Sequence, residues 1–335
     1  MKRKTFKGGA HPYDGKKMSR DCPIEILNPG DTLVYPLSQH IGAMAKPLVK
    51  AGDRVLVGQK IAEKGGFISA NIHSSVSGTV KAIEKRLVAT GGMVDSIIVE
   101  NDGMYEEAAP IFSGNPDELS KDEIIKIIDP QGGERSMIYA VTGRKINSKM
   151  LPADVGCIVH NVDTIYAIYN AVYNGKPLIE RIVTITGDAV STPKNFQVRI
   201  GTSFRELIDA AGGFTTEPEK IISGGPMMGF SFFNIDVPVV KGSSSLLAFI
   251  KDDVSHEEPS ACIRCGRCAA ACPEHLLPMK LAALAGQNEP EEFKKLGGME
   301  CVECGCCSYV CPAKRQVTQS VRSMKKLIIA SARKK

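Results

Sequence analysis

Cys262-Ile263-Arg264-Cys265-Gly266-Arg267-Cys268-Ala269-Ala270-Ala271-Cys272-Pro273 is answered by Cys301-Val302-Glu303-Cys304-Gly305-Cys306-Cys307-Ser308-Tyr309-Val310-Cys311-Pro312. Both runs read Cys-x2-Cys-x2-Cys-x3-Cys-Pro, and nine of the eleven cysteines of the 335-residue chain lie between Cys262 and Cys311. Cysteines spread evenly along a secreted chain suggest disulfides. Dense clusters at fixed spacing suggest metal ligation in a reducing compartment.

The spacing is that of iron–sulfur runs in bacterial ferredoxins. Zinc competes for such cysteines, but it favours CxxC pairs separated by a longer loop. Here a third CxxC step and a CxxxCP follow, twice over, so we read two [4Fe–4S] clusters. A cubane takes four thiolates. Three close cysteines on one tight loop reach three irons, and the fourth is expected to begin a helix that leads away to the other cluster. The expected ligands are Cys262, Cys265, Cys268 and Cys311 for the first cluster, and Cys301, Cys304, Cys307 and Cys272 for the second. Gly266 and Gly305 keep the loops open for backbone N–H groups, and Pro273 and Pro312 remove competing ones. Cys306 falls outside the spacing and reads as a bystander. Cys22 and Cys157 read as ordinary thiols. No side chain in this region reads as an acid–base catalyst, so its task is electron conduction.

Working outward, residues 260–335 are expected to be α-helical around the clusters, with Leu276, Leu277, Met279, Leu281, Leu284, Phe293 and Leu296 giving an apolar face between the runs. Residues 241–259 read as a polar linker with one short strand, Leu246–Ile250. Residues 179–240 read as a compact β-grasp-like α+β unit: strands Arg181–Thr186 and Gln197–Ile200, a helix Ser203–Ala211 ended by Gly212-Gly213, then strand Ile221–Ser223 before Gly224-Gly225. Residues 111–178 read as an α/β segment, with a helix over 116–128, a strand Val155–Val159 and a helix Val162–Asn174 closed by Gly175. In 1–110, residues 1–30 read as irregular and 31–100 as short strands of an all-β sandwich. Its phrases Gly52-Asp53-Arg54-Val55 and Ser77-Gly78-Thr79-Val80 resemble biotinyl and lipoyl carriers. Lys64 lacks the neighbours of their modified lysine and reads as a surface lysine.

Composition narrows the function. Tryptophan is absent and aromatics are 6%, so stacking platforms for nucleic acid are not expected. No stretch approaches the roughly 18 apolar residues that span a bilayer, and the basic start is not followed by an apolar core, so no signal peptide is read. Net charge is +5, with eight basic residues and no acid from Pro312 to Lys335. That tail, with Val321, Met324, Leu327 and Ile328 at helical spacing, is expected to dock on a membrane face or a membrane-bound partner. Gly132, Gly133, Gly224 and Gly225 do not form G-x-G-x-x-G and read as turns.

Several phrases together resemble one family. Thr5-Phe6-Lys7-Gly8-Gly9-Ala10-His11-Pro12, Pro36-Leu37-Ser38-Gln39-His40-Ile41-Gly42, Ser69–Gly78, Pro130-Gln131-Gly132-Gly133-Glu134, Leu151–Gly156 and Gly224-Gly225-Pro226-Met227-Met228-Gly229, with the cysteine runs, resemble the RnfC family, C subunits of Rnf-type ion-translocating oxidoreductases. The resemblance covers nearly the whole chain. It implies, in order, a barrel-sandwich, a Rossmann-like flavin and nucleotide domain, an SLBB β-grasp unit and a two-cluster ferredoxin domain. It also implies NADH chemistry at FMN, electron transfer through the clusters to other Rnf subunits, and a peripheral place on the cytoplasmic face of the cell membrane. The family's glycine-rich GxGGAGFPT flavin loop and glutamate-rich phrase are absent, leaving 111–178 as a remnant. This chain as written is therefore expected to bind neither FMN nor NADH, and no catalytic residue is assigned. A cobalamin reductase of a bacterial microcompartment shares the architecture and is the alternative. An interaction module with structural clusters is a third reading.

Overall fold

Alternation decides the first layer. In Thr32–Pro36, Leu33 and Tyr35 are fully buried while Thr32 faces water, as a strand with one covered face requires. The computed structural model describes residues 13, 15–39, 42–66, 69–110, 142–144, 146–147, 150, 152–157, 162–226, 229–252 and 256–333, with the side chains of 16, 152, 153, 332 and 333 left aside. Thr5–Pro12, His40-Ile41, the helix expected over 116–128, Pro130–Glu134, Ile158-Val159, Met227-Met228 and Lys334-Lys335 lie outside those residues.

Thr32–Pro36 pairs antiparallel with Met93–Asn101, which pairs with Gly78–Leu87, which pairs with Arg54–Val55. A second sheet joins Lys46–Pro47, Lys60–Glu63 and Ile72–His73. Between them lie Leu33, Tyr35, Val55, Ile61, Ile72, Ile97 and Val99. Each such side chain contributes about 1.5–3 kcal/mol on burial. Gly78 is glycine because the strands close there: a Cβ would strike the Glu100 carbonyl oxygen. Lys64 is exposed.

A six-stranded sheet follows, in the order Ile24–Leu27, Lys194–Arg199, Glu180–Thr186, Ser245–Phe249, Lys220–Ser223, Phe230–Ser231. The sequence reading is corrected here at both ends. The segment taken as irregular supplies Ile24–Leu27, parallel to Lys194–Arg199. The short strand expected over Leu246–Ile250 forms as Ser245–Phe249, but the segment around it is more than a linker, because this strand sits inside the sheet, parallel to Glu180–Thr186 and antiparallel to Lys220–Ser223. Burial is the reason: Leu246 and Ala248 are wholly buried against Val183, Ile185 and Phe204.

Two helices accompany this sheet. Helix α1, Val162–Tyr173, ends at Gly175, whose φ is +60°. The expected strand over Val155–Val159 is not formed at its described start: Pro152–Val155 is a 3-10 turn, and Gly156 at φ +66° turns the chain away. Helix α2, Phe204–Ala210, opens with a capping box in which Ser203 and Glu206 satisfy each other's backbone N–H groups. Arg181, 5% exposed, reaches Asp163 of α1 at 2.8 Å. Burial disfavours its charge and Asp163 supports it, leaving its pKa below the ordinary arginine value. The sandwich and the sheet are joined by polar bonds: Tyr35 Oη and Ser75 Oγ meet at 2.8 Å, Ser75 Oγ donates to the Ile200 carbonyl at 2.6 Å, and Arg199 donates to the Ser75 carbonyl at 2.5 Å.

The cysteine region is helical: α3 Arg267–Ala270, α4 Pro278–Gly286, α5 Pro290–Lys295, α6 Cys306–Tyr309 and α7 Val317–Arg333. Pro278 and Pro290 stand at the first turns of their helices, where a missing N–H costs nothing. The core is Leu281, Phe293, Val321 and Met324, with Leu276, Leu284 and Ile328 packed on it. Leu277, Leu296 and Leu327 were expected on apolar faces but are exposed.

Candidate iron–sulfur centre

The two runs repeat one backbone path. Arg264 and Glu303 stand at equivalent places and share φ values of +56° and +57°; Gly266 and Gly305 follow at +75° and +80°; His275 and Lys314 turn at +54° and +52°. Gly266 and Gly305 are the residues before α3 and α6. These left-handed turns curl each loop so that its first three cysteines can share one side. The expected helix start at the fourth cysteine is not observed. Cys272 and Cys311 instead follow the one-turn helices α3 and α6, because Pro273 and Pro312 interrupt the chain before α4 and α7 begin.

One cavity gathers Cys301, Cys304 and Cys307 of the second run with Cys272 of the first, walled by Leu276, Leu281, Val302 and Val321. The thiols feel one another. Burial pushes Cys301 up to about 11, and Cys307 and Cys304 add to the rise. Burial also raises Cys272 and Cys307, with Cys304 beside both. Four cysteine sulfurs in an apolar-walled cavity are the type of donor set that a cation-rich cluster takes. The donor types suit a cubane, although among the described residues no group of three or more such side chains already stands as a metal site.

The other set is more open. Cys262 and Cys265 are exposed, and Cys268 and Cys311 half-buried. Its link across the runs is made by the backbone: Ser260 N–H donates to the Ala313 carbonyl at 3.0 Å, so the entry to the first run lies against the exit of the second. Helices α3 and α6 pack together. Cys306, read as a bystander, is 3% exposed and lines the second-run cavity. Cys22 Sγ lies 3.3 Å from the Pro193 carbonyl, and Cys157 Sγ 3.6 Å from the Val155 carbonyl, both far from the runs in sequence.

Sequence reading did not single out the groups around the second run. Lys325 Nζ donates to the Cys301 carbonyl at 2.6 Å and pairs with Glu303 at 3.0 Å, which Arg322 also holds at 2.7 Å. Burial would raise the Glu303 carboxyl, but the two cations outweigh it and hold it below the usual range. Thr318 Oγ1 lies 3.3 Å from Cys307 Sγ. Comparing the two runs position by position was the signal available: Thr318 stands where the first run has Met279. The basic tail is also placed differently. Val321 and Met324 turn inward onto α4, and Lys325 is bonded within the domain, so α7 is part of the core and not a free amphipathic end.

The RnfC barrel-sandwich hybrid domain matches residues 4–104, the Nuo51 FMN-binding domain 98–170, the SLBB domain 182–231 and the 4Fe-4S dicluster domain 261–315. The chain is 37% identical to the C subunit of the proton-translocating ferredoxin:NAD(+) oxidoreductase complex of Clostridium ljungdahlii, over 96% of this chain and 93% of that one. It is 33% identical to the Na(+)-translocating counterpart of Acetobacterium woodii, over 100% and 99%. It is 32% identical to the C subunit of the ion-translocating oxidoreductase complex of Rhodobacter capsulatus, over 88% and 78%. The Acetobacterium alignment runs over 439 positions against 335 residues here, so that relative carries internal stretches this chain lacks. With the sandwich, the SLBB sheet and the paired cysteine runs in one order along the chain, and relatives matched over nearly their full length, the chain belongs to the RnfC family of C subunits.

Proposed function

We propose that this chain is the electron-conducting C subunit of an ion-translocating ferredoxin:NAD(+) oxidoreductase complex, peripheral to the cytoplasmic face of the membrane. The observation that carries the reading is the convergence of Cys272 with Cys301, Cys304 and Cys307 on one cavity. We assign those four to one [4Fe–4S] cluster, and Cys262, Cys265, Cys268 and Cys311 to the other. When bound, the clusters take up and release single electrons. The protein holds the thiolates, excludes water from the second-run site with Leu281 and Val321, and keeps the two sites adjacent through α3 and α6. The Glu180–Phe249 sheet with α2 is read as a β-grasp-like SLBB unit. No described helix is long and apolar enough to cross a membrane, which agrees with peripheral attachment.

FMN belongs to the family, and much of the stretch matched to its domain lies outside the described residues. Of the stretch matched to the FMN-binding domain, the strand Met93–Asn101 belongs to the sandwich, and the rest described is chiefly a 3-10 turn and α1. Within that matched stretch, no strand–glycine turn–helix cradle occurs among the described residues. No flavin or NADH step is assigned to them. The microcompartment alternative is not favoured, since the relatives above are Rnf-type subunits. Anaerobic purification tests the proposal. About eight iron and eight sulfide per chain are expected, as two cubanes require. Stoichiometric zinc without iron overturns it.

A further inference from the structure

The two runs superpose in sequence residue for residue, yet their third cysteines have different neighbours. Cys268 Sγ lies 3.8 Å from Met279 Sδ. Cys307 Sγ lies 3.3 Å from Thr318 Oγ1. The Thr318 hydroxyl is directed. Ser308 Oγ donates to Thr318 Oγ1 at 3.0 Å, and the Thr318 N–H donates to Ser308 Oγ at 2.9 Å. With its oxygen already accepting from Ser308, Thr318 has its own hydrogen left for Cys307. A thiolate bound to iron can only accept, so Thr318 must be the donor. Thr318 is 7% exposed, which shields this bond from water. Where the second run has Ser308, the first has Ala269, so the first run lacks both members of the pair.

We propose that Thr318, oriented by Ser308, is a positioning donor to Cys307 that raises the reduction potential of the second-run cluster, and that Met279 withholds such a bond from the first-run cluster. The inference rests on the cluster assignment proposed above. Its physical basis is charge. Reduction adds one electron to an already anionic cluster–thiolate unit, and a hydrogen bond to a charged acceptor is roughly twice as strong as to a neutral one. The donor therefore stabilises the reduced form more than the oxidised one. Hydrogen bonds to cluster sulfurs are among the factors that set such potentials. The pair makes two sites of equal ligand chemistry inequivalent.

The test is an EPR-monitored redox titration of the anaerobic full chain with both clusters loaded. Thr318→Val, which keeps the shape and removes the donor, should lower one of the two midpoints. At a fixed potential near that midpoint, the reduced-to-oxidised ratio should fall on the order of tenfold, about 59 mV for one electron. Thr318→Ser should restore the original midpoint, and Met279→Thr should move the other midpoint upward. Iron and sulfide content should be unchanged in each. A Thr318→Val midpoint that does not move, or equal movement of both, overturns the inference. If Thr318→Val fails to load its cluster, Ser308→Ala carries the test, and an unmoved midpoint there overturns it equally. A wild-type chain that takes up no iron instead refutes the cluster assignment itself.

Discussion

At the scale of the residue, Cys272 is the sharpest point. It lies in the first run but opens onto the cavity of the second. Cys272→Ala should therefore remove the second-run cluster, taking iron from about eight to about four per chain, while the first-run EPR signal persists. Loss of the first-run signal instead would refute the crossed assignment. Cys306→Ala should leave both signals, although its burial makes some loss of thermal stability expected. A second residue tests the sandwich. Asp102 accepts from Ser77 Oγ at 2.6 Å and the Met104 N–H at 2.9 Å, with Arg54 at 3.3 Å. These partners hold its carboxyl below the usual range, the Ser77 hydroxyl most. A depressed folded pKa stabilises above the unfolded value of about 3.9, and that stabilisation is lost as pH falls through the folded value. Asp102→Asn should melt lower than the parent at pH 7, and the gap in Tm should close as pH falls below about 4. A gap that is constant with pH would assign the effect to shape rather than charge.

At the scale of the element, α7 carries the most consequence. Its hydrophobic stripe of Val321, Met324 and Ile328 is spent on α4 and Phe293, while Leu327 and Ile329 face outward. Met324→Ala should cost about 2–5 kcal/mol of cluster-domain stability, read as earlier bleaching of the iron–sulfur absorbance in a denaturant titration. Met324→Leu should nearly preserve it. Equal stability of Met324→Ala and the parent would show that α7 does not hold the domain. The same helix brings Thr318 and Lys325 to the second run, so packing and cluster environment are set by one element.

At the scale of the molecule, the question is how the chain meets its membrane partners. Removing residues 321–335 would also remove Val321 and Met324 from the core, so lost binding after that deletion would report unfolding. A surface charge is the cleaner probe. Lys326 is exposed on α7 and has no part in the core. If this face docks on an anionic surface, Lys326→Glu should weaken co-sedimentation with anionic vesicles or membrane subunits, with unchanged iron content. Each basic group near such a surface is worth about 1 kcal/mol, and raised salt should weaken the parent likewise. Unchanged association in both cases would move the docking face elsewhere, toward the sandwich.

Spacing along the chain determined the chemistry. Cys-x2-Cys-x2-Cys-x3-Cys-Pro is a local property, because cluster loops are built from near neighbours and glycine turns. The same holds for the alternation around Leu33 and Tyr35, and for the helix that Gly175 closes. What no local pattern could carry was partnership. Ile24–Leu27 looked irregular because a four-residue edge strand owes its form to the parallel strand at Lys194–Arg199. Ser245–Phe249 was legible as a short strand but not as a central one, because an apolar run between polar flanks becomes central only when strands from either side bury it. The tail looked amphipathic and free, yet which surface takes an apolar stripe depends on whether the fold offers one nearer than a membrane, and α4 does. The inequivalence of the two cluster sites was likewise decided in three dimensions. Thr318 is eleven residues beyond Cys307, and only the turn after Cys311 brings its hydroxyl back to that sulfur.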